Sequence, residues 1–436
     1  MWVASTNEPV CPKNARANKL KSSVFVRNVS LLAFGSFVAQ GITILSAPIQ
    51  TRLYSPENFA NFGIFTVIIS ALAPAVGGRY EVASVVVKEE KEGFGLYALS
   101  MWTALLLSAF LFLVFTIWQQ ELTQLLGAQS LGLWWFMLPF AILISALNSC
   151  VKYFENRRKN YKLITKVLII QSGVVSLCSI ALGVGNFATV GLIVSMLLGT
   201  LTGILLLLRA SLANFSGQSF LLDKEKICLA KKYARFPMHE ATTSLLNGVQ
   251  AALPIFFLAK FYPEAIAGFY VLLIKVTMSP LGIISTAVSE VHLRKTAEVI
   301  QSRGDATRYF VHLCVYLGLI VAIPSLIVIT SAPQLFELFF GVRWRQAGTL
   351  LAILMPALAL RFIASTVSGA ITASGNTHLG AYWKIFAFVV TFTMFWLAAG
   401  KLSVEALFWL FMLTDSLIYV TYLIISAYSI RRPRFV

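Results

Sequence analysis

Apolar stretches of about twenty residues, separated by short polar breaks, recur from one end of the chain to the other. They lie at about 29–50, 62–86, 97–118, 131–151, 167–185, 188–208, 239–260, 265–288, 309–332, 348–371, 380–400 and 404–428. At 1.5 Å per residue, each predicts a helix able to cross the roughly 30 Å hydrocarbon layer of a bilayer. Between the fifth and sixth stretches the only turn signals are Gly183, Gly185 and Asn186. No interval is long enough for a soluble domain, so the fold class is all-α and polytopic, with about twelve transmembrane helices.

The position of the charges changes this picture more than their number does. Lys and Arg total 35 against 18 Asp and Glu, a formal net charge of +17. An even number of spans puts both termini on one face. The segments on that face (the two tails, the loop after the second span, Lys152–Lys166, Arg209–Arg235 and Arg294–Arg308) carry 26 of the 35 cations, against 5 on the other face and 4 inside spans. Cytoplasmic loops retain such an excess, so both termini are expected in the cytoplasm. The basic balance then follows from topology and from anionic lipid headgroups, and nucleic acid is not expected as a partner. The first residues, Met1 to Ser23, lack the apolar core of a secretory signal. Composition agrees, with 58% hydrophobic and 12% charged residues.

The longest loop of the basic face divides the chain into two sets of six spans. The expected organisation is a cytoplasmic tail (1–28), an N-terminal six-helix bundle (29–208), a cytoplasmic linker (209–238), a C-terminal six-helix bundle (239–428) and a cytoplasmic tail (429–436). Leu53-Tyr54-Ser55-Pro56-Glu57 with Asn61-Phe62-Gly63 parallels Phe261-Tyr262-Pro263-Glu264 with Gly268-Phe269-Tyr270, at a constant offset of 207 residues. Six spans per half preserve orientation, so the bundles would be parallel repeats about a pseudo-two-fold axis normal to the membrane.

Ionisable side chains inside a membrane cost at least about 2.5–3.5 kcal/mol unless a partner or water relieves them, and they mark function. Lys275, Arg361 and Asp415 fall midway along the eighth, tenth and twelfth spans. Arg79 and Glu81 fall in the cytoplasmic third of the second, beside Pro74, Gly77 and Gly78, where a helix can kink and open toward a cavity. Arg79 either lines the inner mouth or snorkels to headgroups; snorkelling is favoured for Lys384 and Glu240. On a regular helix Arg79 and Glu81 would not pair; an opened helix relaxes that. Lys275 and Arg361 would alternatively pair with Asp415 only to join helices. Two cations outnumber one acid at mid-depth, so the cavity is expected to be basic and to suit a phosphate or pyrophosphate, gripped by the guanidinium fork and a lysine point charge.

Little else carries chemistry. The five cysteines are far apart and read as small apolar residues, and the four histidines lack metal-ligand spacing. No phosphate-binding loop or nucleophile elbow occurs, so no catalytic residue, metal or cofactor is expected. Trp118 and Trp344 are expected in the outer aromatic belt.

Four stretches resemble the polysaccharide flippases of the multidrug/oligosaccharidyl-lipid/polysaccharide superfamily, the O-antigen (Wzx-like) translocases. They are Thr51-Arg52-Leu53-Tyr54-Ser55-Pro56-Glu57 with Phe59 and Phe62-Gly63, Gly78-Arg79-Tyr80-Glu81-Val82-Ala83, Tyr233-Ala234-Arg235-Phe236-Pro237 followed by Lys275 before Pro280, and Phe340-Gly341 with Trp344-Arg345-Gln346-Ala347-Gly348. In the first, Gly63 comes later than the family pattern places it. The resemblance implies two six-helix bundles forming a V around a cavity that alternates between faces. The implied activity is moving a polyprenyl-pyrophosphate-linked oligosaccharide from the inner to the outer leaflet of a bacterial inner membrane. Partners would be that lipid-linked substrate, the bilayer and other polysaccharide-assembly proteins. In this reading Arg79, Lys275 and Arg361 hold the pyrophosphate, and Glu81 or Asp415 exchanges a coupling ion. The alternatives are a multidrug or ion antiporter of the same superfamily, which would need more acidic cavities, and a membrane polysaccharide polymerase or ligase, which would need a long outer loop.

Overall fold

The computed structural model describes residues 12–212, 219–302 and 304–433. Among these, twelve helical stretches are long and apolar enough to cross a membrane. The N-terminal set comprises α1 (Pro12–Leu53), α2 (Pro56–Val76) with its short continuation α3 (Tyr80–Val86), α4 (Glu90–Ile117), the short α5 (Gln119–Leu126), α6 (Leu138–Arg157), α7 (Tyr161–Val184) and α8 (Ala188–Leu212). The linker holds α9 (Lys224–Lys232), and a π-helical turn at Phe236–Ala241 leads into the second set. That set comprises α10 (Thr242–Phe261), α11 (Glu264–Gln301), α12 (Ala306–Phe340), α13 (Arg345–Thr366), the short α14 (Gly369–Ala373), α15 (Thr377–Ala398) and α16 (Val404–Arg431).

Local chemistry sets the boundaries. Ser55 caps α2 by accepting from the Asn58 amide, with Pro56 at the first helical position, where its missing N–H costs nothing. Asp223, Asp305 and Ser403 cap α9, α12 and α16 in the same way. The weak turn signal between the fifth and sixth spans suffices, since α7 stops at Val184, with Gly185 as its cap and Asn186 at φ 58°. The second span begins six residues earlier than its hydropathy suggests and breaks where Pro74, Gly77 and Gly78 predict a kink. Gly78 (φ 65°) and Arg79 (φ 59°) are both left-handed there.

Contacts within the two sets repeat. The pairs α1–α7, α4–α6, α6–α8, α2–α6 and α7–α8 of the first have counterparts in α10–α15, α12–α13, α13–α16, α11–α13 and α15–α16 of the second. Exchanging the sets maps the α2–α10 seam onto the α1–α11 seam and leaves the α2–α11 contact in place. The repeat suggested by the two Pro-Glu loops therefore recurs in the neighbour relations of the helices.

On the face opposite the basic loops the two sets pack backbone against backbone. A β-carbon at Gly268 would lie 1.9 Å from the Pro56 carbonyl oxygen, so only glycine permits this approach of two backbones. Gly127 meets the Ala259–Lys260 backbone in the same way. Trp344, expected in the lipid-facing belt, is instead fully buried. Its indole N–H donates to the Thr51 carbonyl (3.0 Å), and its ring meets Phe59 and Phe269 edge-on at 5.0 and 5.8 Å. A large ring with one donor suits this place, filling the seam while satisfying a backbone carbonyl that α1 leaves open at its end. Trp118, by contrast, is exposed at the end of α4.

Candidate functional site

Three cations were expected around one cavity; the structure places them in three surroundings. Lys275, on α11, is half-buried in the α1–α11 seam. Its Nζ donates to Gln50 Oε1 (3.0 Å) and stands 5.9 Å from the centre of the Phe59 ring. Gln50 in turn donates to Ser179 Oγ (2.7 Å), and the Ser179 carbonyl accepts from the Tyr54 hydroxyl (2.6 Å). The ammonium of the C-terminal set is thus tied to α1 and α7 of the N-terminal set by a polar chain with no carboxylate in it.

Arg361 lies inside the C-terminal set, its guanidinium 5.8 Å from the Tyr419 ring centre and within coulombic reach of Asp415 and Tyr270. Arg361 and Asp415 interact electrostatically but form no ion pair or hydrogen bond among the described residues, so the expected helix-joining pair is not made. Lys275 joins neither.

Arg79 sits at the basic end of the α2–α10 seam. Because the helix breaks at Gly77-Gly78, Arg79 turns left-handed and its Nε and Nη2 donate to Ser244 Oγ of α10 at 2.9 and 2.5 Å. Its Nη1 is 3.7 Å from Glu81 Oε1, a pairing that a regular helix would forbid. Glu81 is 2% exposed, and its other carboxylate oxygen has no hydrogen-bond partner among the described residues. A β-carbon at Gly77 would come within 2.8 Å of that oxygen, so the glycine makes room for the carboxylate. Lys384 is exposed, in keeping with snorkelling.

The seam that holds Lys275 is also the seam that opens. Toward the basic face, α1 and α11 separate to leave a groove of about 1060 Å³. Ser30, Ser36 and Gln40 line one wall, and Glu290, Arg294 and Glu298 line the other, with apolar residues such as Leu32 and Ile283 between them. Its deep end is at Met278, one helical turn from Lys275. Glu290, Arg294 and Glu298 recur every four residues and share a face of α11, and Arg294 Nε donates to Glu298 Oε1 (3.0 Å). The sequence reading placed Arg294 in a loop; α11 runs unbroken to Gln301, so charges there belong to a groove wall. The i, i+4 spacing was the signal that could have shown this. Gln50 and Ser244 carried none, being ordinary polar residues in apolar runs.

The linker is part of the N-terminal set in contact terms. Leu229 fits over Gly95 of α4, Trp102 donates to the Phe220 carbonyl (2.8 Å), and Tyr80 donates to the Ala230 carbonyl (3.3 Å). Lys232 pairs with Glu92, and Lys91 with Glu225.

The sequence profile of a family described as "Polysaccharide biosynthesis protein" matches residues 49–349, from the end of α1 into α13. The chain belongs to the polysaccharide biosynthesis protein family. No curated protein matches the chain in sequence. Among solved structures it is similar to the lipid II flippase MurJ in an inward closed conformation, with 15% identity and a TM-score of 0.69 over 90% of this chain and 86% of that one. It is also similar to an inward-facing multidrug resistance MATE family transporter of the MOP superfamily, with 15% identity and a TM-score of 0.67 over 93% and 98% of the two chains. A MOP superfamily transporter from Pyrococcus furiosus, described as having a binding pocket of reversed polarity, matches with 15% identity and a TM-score of 0.60 over 93% and 95%. This polysaccharide biosynthesis family member therefore shares the fold of the MOP-superfamily transporters, a multi-pass, all-helical fold with twelve candidate spans among the described residues.

Proposed function

We propose that the protein is a flippase that moves a polyprenyl-pyrophosphate-linked oligosaccharide from the inner to the outer leaflet of a bacterial inner membrane. The observation that carries this reading is the α1–α11 groove of mixed polarity ending one turn from Lys275. An amphiphile with a charged centre needs three environments at once, and the seam supplies them. Hydroxyl- and charge-bearing walls solvate sugars, Lys275 one turn beyond the deep end meets a pyrophosphate on leaving Gln50, and the lateral opening leaves the tail in lipid. With the basic face in the cytoplasm, the groove faces the inner leaflet, and the contacts of Gly268 and Trp344 seal the other side.

In this cycle Lys275 is the first anchor of the pyrophosphate. Arg361 attracts the anion from within the C-terminal set, and Arg79, nearest the cytoplasmic face, takes part once its bond to Ser244 is released. Desolvating a pyrophosphate in hydrocarbon is prohibitive, and a fixed cation near the path replaces part of its lost hydration. Glu81, buried beside Arg79 with one carboxylate oxygen free of hydrogen bonds among the described residues, is the acid we assign to bind a proton or sodium ion.

The test is the leaflet distribution of polyprenyl-pyrophosphate-linked repeat units in cells lacking the gene and in cells re-supplied with wild type, Lys275→Ala or Lys275→Arg. Inner-leaflet accumulation without the gene, clearance by wild type and Lys275→Arg, and accumulation with Lys275→Ala is the expected result. Units that reach the outer leaflet but stay unpolymerised in the deletion would overturn the flippase reading in favour of an enzyme acting later.

A further inference from the structure

At the basic end of the C-terminal set, the first turns of α12 and the last turn of α16 flank an open pocket of about 460 Å³ that shares no lining residue with the groove. It is lined by Asp305, Thr307, Arg308, Val311, His312 and Arg431. Among the described residues neither Arg308 nor Arg431 forms an ion pair. One oxygen of the Asp305 carboxylate is committed to the α12 cap, where it accepts from the Arg308 amide (2.8 Å). The His312 Nδ1–H donates to the Arg308 carbonyl (2.7 Å), which leaves its other ring nitrogen open. Two guanidinium groups against one capping carboxylate make the cavity net positive.

Depth and shape indicate what fills it. Arg308 lies 32 residues from Phe340, where α12 ends on the opposite face, or about 48 Å along the helix. Arg431 lies 27 residues from the start of α16, about 40 Å. A bilayer is roughly 40–45 Å thick including headgroups, so both guanidiniums stand at headgroup level. Below them Val311, Val315, Leu319 and Ile323 are all exposed and recur every four residues along α12. A positive pocket at headgroup depth above an apolar track has the form of a two-part ligand, with a phosphate at one end and acyl chains at the other.

We infer that Arg308, Arg431 and His312 form a binding site for the phosphodiester headgroup of an anionic phospholipid, whose chains run down the exposed stripe of α12. The site is separate from the groove, and the inference stands whatever the central path carries. The guanidiniums take the phosphate oxygens by charge-assisted hydrogen bonds, and the uncommitted oxygen of Asp305 accepts from a headgroup hydroxyl. Bound there, the lipid bridges α12 and α16.

The experiment uses the full-length protein in uncharged detergent. It is titrated with phosphatidylglycerol, with phosphatidylethanolamine of the same chains, and with inorganic phosphate as a competitor, and retained lipid is counted by native mass spectrometry. Wild type is expected to retain phosphatidylglycerol in preference to phosphatidylethanolamine, without displacement by millimolar phosphate. Arg308→Gln/Arg431→Gln is expected to weaken retention on the order of 30-fold, since each surface arginine contributes about fivefold to anionic-lipid attraction. Arg308→Lys/Arg431→Lys is expected to restore most of it. Lys231→Gln/Arg432→Gln, which removes two exposed cations from outside the pocket, serves as the equal-charge control and is expected to lose far less retention than the pocket variant. Both arginines are exposed, and an unchanged melting temperature shows that the variants fold. Equal retention of the two lipids, wild-type retention by Arg308→Gln/Arg431→Gln, or equal loss in Lys231→Gln/Arg432→Gln would each overturn the site. Displacement by inorganic phosphate would make it a free-anion site and overturn the lipid assignment.

Discussion

The α2–α10 and α1–α11 seams occupy equivalent places in the two-fold arrangement, yet one is shut and the other open. In the first, a β-carbon at Gly248 would lie 2.4 Å from the Ala71 Cα, and Arg79 bonds Ser244 at the basic end. In the second, Gly41 and Gly282 have nothing within 4 Å, and a groove of about 1060 Å³ separates the helices. The difference teaches that the repeat supplies two possible lateral openings and the sequence uses only one. Small residues and a latch close the first. Polar and charged residues facing across the second keep it from collapsing, since burying them without partners would cost more than the contact returns.

The largest expected effect breaks this comparison outright. Gly248→Leu forces a side chain against backbone, and a loss of about 1–3 kcal/mol or more is expected from overpacking, seen as a lower melting temperature in detergent. Gly282→Leu enters open space, so the protein should fold and melt as wild type does while the groove, and with it transport, is blocked. Equal melting temperatures for the two variants would mean that the seams do not differ in this way.

Next come the cations. Arg79→Ala leaves the Glu81 carboxylate buried without its partner, at a cost of about 3 kcal/mol, so stability and transport should fall together. Lys275→Ala removes a cation that no carboxylate balances; transport is expected to drop at least tenfold with no loss of melting temperature. Ser244→Ala tests the latch alone. Losing that hydrogen bond is worth about 1 kcal/mol, and crosslinking between cysteines placed on α3 and α10 should become slower as the ends separate.

The smallest effect concerns α9, which braces the closed seam through Tyr80 and Leu229. The Lys226 side chain and backbone N–H donate to the Asp223 carboxylate and hold it below the usual carboxylate range. Its contribution is therefore complete above the ordinary carboxylate value of about 4 and is lost as pH falls through Asp223's own lower value. Amide exchange in α9 is expected to quicken only in that acid range, and Asp223→Asn should abolish the dependence.

Much of the fold was legible because crossing a bilayer leaves an unmistakable record. Twelve apolar runs, an even count and a lopsided distribution of Lys and Arg follow from the cost of polar groups in hydrocarbon. The break at Gly77-Gly78 and the turn at Gly185-Asn186 were legible because glycine and asparagine tolerate left-handed backbone. What could not be read is which helix face meets lipid and which meets another helix, because both are apolar and periodicity then carries no burial signal. The expectation for Trp344 fails for that reason, and Lys275 and Arg361 are expected in one cavity because depth is visible in sequence while azimuth is not. Gln50 and Ser244 matter only through what they touch from the other set.

The π-helical turn at Phe236–Ala241 has a further mechanical consequence. Such a turn stores one residue more than an α-helical turn, so it acts as slack in the chain between α9, fastened to the first bundle, and α10, which belongs to the second. Taking up that slack would screw α10 about its own axis by about 100°, carrying Ser244 away from Arg79 while α9 stayed docked. One extra residue just outside the closed seam thus helps fix which face α10 turns toward α2.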